Sequence, residues 1–230
     1  MMDIRISIGV NMSDKTKSAF TLAEVLITLV IIGVVAAMTI PTLIARYEEQ
    51  ATVAKVQKAY STIAQAWKRY QMDYGCVGSA ELCIQDTDSN YNSDFLDRFI
   101  KYFNYVQKIP PNTSLSNIDW LPERAYCMDG TLSPNHWMGV HNFGNSYATS
   151  YFTLADGVIY HIQIPDNGRK SGFVFIDTNG KKGPNRIGYD LFDFVVNSKG
   201  LYPRGCDSNA CPSDKDACAC KVIREGEIKY

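Results

Sequence analysis

The sequence lacks an excess of charge and lacks the signatures of the common catalytic classes. Its 230 residues carry 23 Lys and Arg against 24 Asp and Glu. This balance, with 46% hydrophobic residues, is typical of a folded protein and excludes both intrinsic disorder and strongly basic nucleic-acid binding. We therefore expect a folded chain with no evident nucleic-acid site.

Chemistry-bearing motifs are also missing. The sequence contains no glycine-rich phosphate loop, no G-x-S-x-G elbow and no H-E-x-x-H helix. His136 and His141 lie in a segment rich in Gly, Asn and Pro, and neither they nor His161 has partner ligands at useful spacing. We expect a surface or hydrogen-bonding role for these histidines, no catalytic residues and no enzyme activity.

One long charge-free run stands out near the start of the chain. Residues 25–45 contain no Asp, Glu, Lys or Arg, and as a helix they would cover about 30 Å, the thickness of a bilayer's hydrocarbon core. The apolar part of a secretory signal peptide is shorter, about 7 to 15 residues. The run therefore predicts a membrane-spanning helix, with Lys15 and Lys17 holding the N-terminus in the cytoplasm.

Glu24 is an acid at the head of this apolar helix. A carboxylate in such a place is costly, and an ionisable residue beside lipid is by default a hypothesis of function. If the chain were cut before Phe20, a new α-amino group would lie one helical turn from Glu24. That amine could pair with Glu24 of its own chain or of a neighbour.

Residues 17–24, KSAFTLAE, together with the apolar run, resemble the type III signal of type IV pilins and type II secretion pseudopilins. The resemblance implies that a prepilin peptidase cleaves between Ala19 and Phe20, N-methylates Phe20, and that Glu24 directs assembly. Ala19 stands where the family usually has Gly. A start at Met12 would shorten the leader, residues 1–19, and leave the mature chain unchanged.

The resemblance also implies a place in an assembly. Pro41 falls where the family usually has a helix-kinking proline, and Gly33 where the filament core commonly begins to unwind. The implied partners are the prepilin peptidase, this and other pilin subunits, the inner-membrane assembly platform and, before assembly, membrane lipid. The implied location is the bacterial cytoplasmic membrane for the precursor, with the head outside the cytoplasm, and a periplasmic or cell-surface filament afterwards.

The helix pattern continues beyond the apolar run. One apolar stripe recurs at spacings of three and four, which predicts a helix that buries one face and ends at Gly75. We expect it to pack on a sheet, because bulky Trp67 and Tyr70 and fewer than three heptads argue against a coiled coil. The stripe consists of Val53, Val56, Tyr60, Ile63, Trp67 and Tyr70.

The rest of the chain predicts a helix and several strands. Residues 94–106 place Phe95, Phe99, Phe103 and Val106 on one helical face, closed by Pro110 and Pro111. Short β-branched and aromatic runs at 147–154, 158–164, 172–176 and 191–196 are bounded by the turn dipeptides 156–157, 167–168 and 179–180. This pattern predicts an antiparallel meander and an α+β class.

Together these features predict a pilin-like α+β fold with one long N-terminal helix packed on an antiparallel sheet. The expected segments are the leader 1–19, a transmembrane or filament-core helix 20–45, an amphipathic helix 46–74, and a globular head 75–230 that ends in a cysteine-rich tail.

Seven cysteines occur in a domain expected outside the cytoplasm, where disulfides are the usual state. Cys76 and Cys83 are close in sequence and are expected to bridge. The last four, Cys206, Cys211, Cys218 and Cys220, are expected to pair among themselves, which leaves Cys127 over. Zinc at the last four is the alternative, disfavoured because their spacing lacks paired C-x2-C knuckles.

A loop after the third predicted strand is a weak candidate for calcium. Residues 172–196 resemble a C-terminal segment of many pilin-like proteins, and some pseudopilins bind calcium in a loop of this region. Asp177, Asn179 and Asp190 could supply oxygens, but calcium needs six to eight and Lys181 and Lys182 follow at once. A structural turn is the favoured interpretation, with no cofactor.

The expected function is that of a structural subunit, a major or minor pilin or pseudopilin. The rival is a single-pass anchored module that binds an extracytoplasmic ligand without filament assembly, and it predicts no cleavage and a dispensable Glu24. A weaker alternative is an envelope enzyme, which pockets lined by perturbed acids would favour.

Overall fold

The computed structural model describes residues 20–76, 93–109, 118–122, 124–132, 147–165, 171–197, 200–206 and 218–228. The chain divides into two compact units, Met1–Ala45 and Arg46–Tyr230.

Helix α1, Leu22–Asp73, is 52 residues long and begins in the first unit. By length and composition it is apolar enough to cross a membrane. Its large apolar side chains from Leu22 to Ile44 are exposed. Gly33 and Pro41 both lie inside the helix. Over its described residues, 20–45, the first unit is thus an apolar helix that no protein core buries.

The second part of α1 carries the predicted stripe into a protein core. Val53, Val56, Ile63, Trp67 and Tyr70 are buried. They join one hydrophobic cluster with residues of the sheet. The exposed positions between them are mostly polar or charged, as on an amphipathic helix that packs on one side. The predicted packing of α1 on a sheet is confirmed.

The described strands form one antiparallel six-stranded sheet in which neighbours in the chain are neighbours in space. The strands are β1 Tyr105–Lys108, β2 Tyr147–Leu154, β3 Ile159–Pro165, β4 Gly172–Asp177, β5 Leu191–Asn197 and β6 Gly200–Pro203. In the β2–β3 turn Gly157 has φ 76°, a left-handed conformation that glycine adopts without strain. The predicted meander and the α+β class are confirmed.

The predicted helix 94–106 was too long. Helix α2 is Ser93–Ile100, and the chain then turns into edge strand β1. Phe103 is buried as predicted, but Val106 is in β1 and 64% exposed. β1 pairs with β2, and a continued helix would leave this edge of β2 without a partner strand. The pairing therefore overrides the local helical pattern.

The C-terminal region contains a short helix where the sequence predicted only a cysteine-rich tail. Helix α3, Ala219–Glu225, buries Ala219 and Val222. Its contacts are with β5 and β6. Residues 207–217 lie outside the described residues. The second unit is therefore one layer of helices on one face of the sheet, with α1, α2 and α3 sharing a core.

Candidate functional site

The start of α1 is closed by a reciprocal pair of side chains. The backbone N–H and the hydroxyl of Thr21 each donate to Oε2 of Glu24, both at 2.8 Å. The backbone N–H of Glu24 donates to Oγ1 of Thr21 at 3.3 Å. This is a capping box, which satisfies amide groups that the first helical turn leaves without intrahelical partners.

The sequence reasoning found Glu24 but missed Thr21. The signal was present as T-x-x-E directly before an apolar helix, the sequence form of a capping box. The box occupies Oε2 of Glu24, and no hydrogen bond to its Oε1 occurs in the described part of the chain. One carboxylate oxygen therefore stays available to a further donor.

The residues around the predicted cleavage point are open to solvent or lipid. Phe20, the first described residue, is 85% exposed, and Thr21 and Glu24 are also exposed. Ala19 lies outside the described residues. A Cβ built on Gly33 would meet no heavy atom within 4 Å. Pro41 has no N–H to donate within α1.

The loop between β4 and β5 is built around two buried acids. Oδ1 of the fully buried Asp177 accepts the N–H groups of Asn179 at 3.0 Å and Gly180 at 2.8 Å. Asp190 accepts the N–H groups of Asn185 and Arg186. Burial raises the pKa of Asp177 to about 7 and also raises the pKa of Asp190.

The calcium interpretation of this loop depends on the oxygens that it offers, of which calcium needs six to eight. Both oxygens of Asp190 and one of Asp177 already accept backbone N–H groups. Among the described residues, the buried Oδ2 of Asp177 and Oδ1 of Asn179 have no hydrogen-bond partner. In the described part of the chain no group of three or more His, Cys, Asp or Glu could hold a metal. The bonds that are present are those of a turn closed by its own carboxylates.

Burial accounts for the raised pKa values of these two acids, and the backbone N–H groups that they accept act in the opposite direction. Asp177 and Asp190 are both buried, and their oxygens hold backbone groups of their own loop. A group acting on a substrate must reach it, whereas these carboxyls face inwards. The raised pKa values therefore reflect a structural turn.

The cysteines form a disulfide framework. Cys206 and Cys220 are bonded, with their Cα atoms 5.0 Å apart, and tie the end of β6 to α3. Cys76 and Cys218 are also disulfide-bonded. Cys83 and Cys211 lie outside the described residues. Cys127 is free and buried, as expected for the cysteine left over.

His161, for which a surface or hydrogen-bonding role was expected, is not at the surface. It is fully buried in β3, with its ring stacked 4.0 Å from that of Tyr151 and 5.4 Å from that of Phe175. Burial lowers its pKa to about 3, so the ring is neutral at ordinary pH. His136 and His141 lie outside the described residues.

Residues 14–40 match the family model for the prokaryotic N-terminal methylation motif, the signal of type IV pilins and pseudopilins. The match contains Ala19, Phe20, Glu24 and Gly33, and it confirms the resemblance seen in residues 17–24. No curated protein and no solved structure matches the chain. The signal and the exposed apolar helix fit a membrane-anchored, pilin-like precursor that prepilin peptidase processes.

Proposed function

We propose that the chain is a structural subunit of a type IV pilus-like or type II secretion filament. The observation that supports this proposal is the methylation motif at residues 14–40 on a helix whose apolar surface is exposed from Leu22 to Ile44. Lipid would cover that surface in the precursor, and the helices of neighbouring subunits would cover it in a filament.

Processing would create a positively charged group with which the carboxylate of Glu24 can pair. Cleavage between Ala19 and Phe20 frees an α-amino group, and N-methylation leaves it basic. Because Thr21 occupies only Oε2 of Glu24, Oε1 can accept this ammonium from an adjacent subunit without opening the capping box. Pairing neutralises two charges in an apolar core and would set the axial register between subunits.

The other predicted positions have roles along the same helix. Gly33 and Pro41 lower the helix propensity of the apolar half, which would allow local unwinding when helices pack side by side. The partners in this proposal are the prepilin peptidase, an inner-membrane assembly platform, and this and other pilin subunits. After assembly the head would lie in the periplasm or on the cell surface.

Mass spectrometry of the mature N-terminus tests the processing step. We expect the chain from the membrane or sheared fraction to begin at N-methyl-Phe20. A mature chain that keeps residues 1–19 would contradict the proposal and favour an anchored ligand-binding module, in which the helix only tethers the head.

Two matched variants test the role of Glu24. Glu24→Ala removes both the carboxylate and the capping box, whereas Thr21→Ala removes the cap but keeps the carboxylate. We expect Glu24→Ala to be cleaved but to stay out of filaments, measured as its share of the sheared fraction. Thr21→Ala should be incorporated to a greater extent.

The comparison separates assembly from helix capping. Equal loss of incorporation in both variants would assign the effect to the start of α1 and remove the pairing step. Incorporation of Glu24→Ala at the wild-type level would contradict the proposed function itself.

A further inference from the structure

Arg46 and Tyr47 stand where the charge-free run of α1 ends. Arg46 follows Ala45 directly, and Tyr47 is 72% exposed. A basic residue and a tyrosine at the end of a membrane helix are typical of the interface between lipid and water. In the anchored chain the bilayer surface therefore lies near Arg46.

The tip of the β4–β5 loop, residues 181–184, reaches the same level of the helix. Nζ of Lys182 lies 3.1 Å from Oε1 of Glu48. Glu48 follows Arg46 by two residues, about 3 Å along the helix axis. The whole tip is exposed, and the side chain of Lys182 is 76% exposed. All these residues belong to the unit Arg46–Tyr230.

Further bonds hold the loop at this place. Nζ of Lys55 donates to the backbone oxygen of Thr178 at 2.6 Å, which ties the start of the loop to α1. Asp177 accepts the N–H groups of Asn179 and Gly180, which shapes the turn before Lys181. The two lysines of the tip are thus presented from an anchored loop.

We infer that Arg46, Tyr47, Lys181 and Lys182 form a basal patch that binds anionic phospholipid headgroups on the outer side of the membrane. The inference rests on the membrane-anchored precursor of the proposed function but not on filament assembly. The patch would hold the base of the head on the bilayer until the subunit is extracted.

The charges of the neighbourhood support this partner. The neighbouring acids of α1 are Glu48, which pairs with Lys182, and Glu49, which accepts the N–H of Ile228 at 2.8 Å. Arg46, Lys181 and Lys182 together with these two acids carry one net positive charge. Arg46 and Lys181 have no ion-pair partner among the described residues. Each basic residue near an anionic bilayer strengthens attraction about fivefold, and salt screens the effect.

Lysine acetylation of the uncleaved full chain in lipid nanodiscs tests the inference. One set of discs contains phosphatidylcholine alone and the other also contains phosphatidylglycerol. We expect Lys181 and Lys182 to react about fivefold more slowly in the anionic discs at low salt, as measured by mass spectrometry. High salt should restore their rates. Lys68 and Lys101, exposed on the same head, are internal controls and should not change.

A pair of arginine variants adds a matched control. Arg46→Gln should reduce the slowing at Lys181 and Lys182, whereas Arg69→Gln, an exposed position further along α1, should leave it intact. Equal rates for Lys181 and Lys182 in both kinds of disc would overturn the inference. So would equal slowing at Lys68 and Lys101, or an effect of Arg69→Gln as large as that of Arg46→Gln.

Failure of the helix to insert into the membrane is measured separately from binding of the patch to headgroups. A chain that does not insert is released from the membrane by alkaline carbonate, which would count against the proposed function as well. No other component of a filament is present, so a defect in assembly leaves this result unaffected.

Discussion

At the scale of single residues, burial changes the pH range in which an acid titrates. Asp177 lies at the end of β4 with its carboxyl inside the head, where loss of water disfavours the charged form. The two N–H groups that it accepts shift the pKa the other way, but desolvation is the larger effect. A turn-forming aspartate has thereby become a group that titrates near neutrality.

Asp177 should make the stability of the head fall as pH rises. An unfolded Asp has a pKa near 3.9, so between about pH 4 and pH 7 the folded chain keeps a proton that the unfolded chain releases. Stability then declines by up to about 1.4 kcal/mol per pH unit across this window. Asp177→Asn should remove that slope, measured by denaturant unfolding of the full chain in detergent from pH 4 to 8.

Asp97→Asn is the control, because it removes an exposed carboxylate that pairs with Lys108. The pH slopes of variant and wild type are compared because His161, whose pKa is lowered, changes stability with pH in the opposite direction to Asp177. Its contribution is lost as pH falls below about 6.5. A slope that Asp177→Asn leaves intact would show that Asp177 is not the titrating group.

At the scale of elements, ends are decided by contacts across the chain. The aromatic spacing of residues 94–106 continues through Phe103, yet α2 ends at Ile100. Phe103 still reaches the core, and its ring lies 5.0 Å from that of Phe152 in β2. A turn and an edge strand thus bury Phe103 as a longer helix would, leave Val106 exposed, and add pairing with β2.

Helix α3 should depend on its disulfide. Seven residues are too few for a stable isolated helix, so packing and the Cys206–Cys220 bond must hold it. The double variant Cys206→Ala/Cys220→Ala opens a loop with a sequence separation of 14, which should cost about 3 kcal/mol. Denaturant unfolding of the full chain measures the loss, and hydrogen exchange should rise in residues 219–226.

Cys127→Ala serves as the control because it removes a buried free thiol without touching a disulfide. It should leave the exchange of α3 unchanged. Protection of α3 that survives in the double variant would mean that packing of Ala219 and Val222, together with the disulfide of Cys218, suffices to hold it.

At the scale of the whole molecule, the larger of the two hydrophobic clusters of the head joins its helices to the sheet. The cluster around Ile63 and Trp67 of α1 includes residues of α2, α3 and the inner face of the sheet. Trp67 lies edge-on to Phe99 of α2, and Tyr60 stacks on Phe194 of β5. The head should therefore unfold as one cooperative unit.

Ile63→Ala tests this shared core. Ile63 is fully buried, and its truncation should cost about 2 to 5 kcal/mol. The unfolding midpoints by Trp fluorescence and by near-ultraviolet circular dichroism should fall together. The exposed Gln65→Ala on the same helix should change stability by less than about 0.5 kcal/mol. Separate midpoints for the two probes would show that α1 and the sheet unfold independently.

Local patterns were enough to predict the apolar run, the methylation signal, the stripe of α1 and strands β2 to β5. Each depends on residues that are near neighbours in the chain, such as the turn at Asp156 and Gly157. These features follow from the periodicity of side chains along a helix or a strand, so the sequence by itself determined them.

Only the tertiary structure decided the end of α2, the existence of β1, β6 and α3, the burial of Asp177 and His161, and the place of the β4–β5 loop. Lys182 and Glu48 are 134 positions apart, and no periodic pattern relates them. Pairing and desolvation depend on which distant segment arrives beside a residue, and that is settled by packing of the whole core.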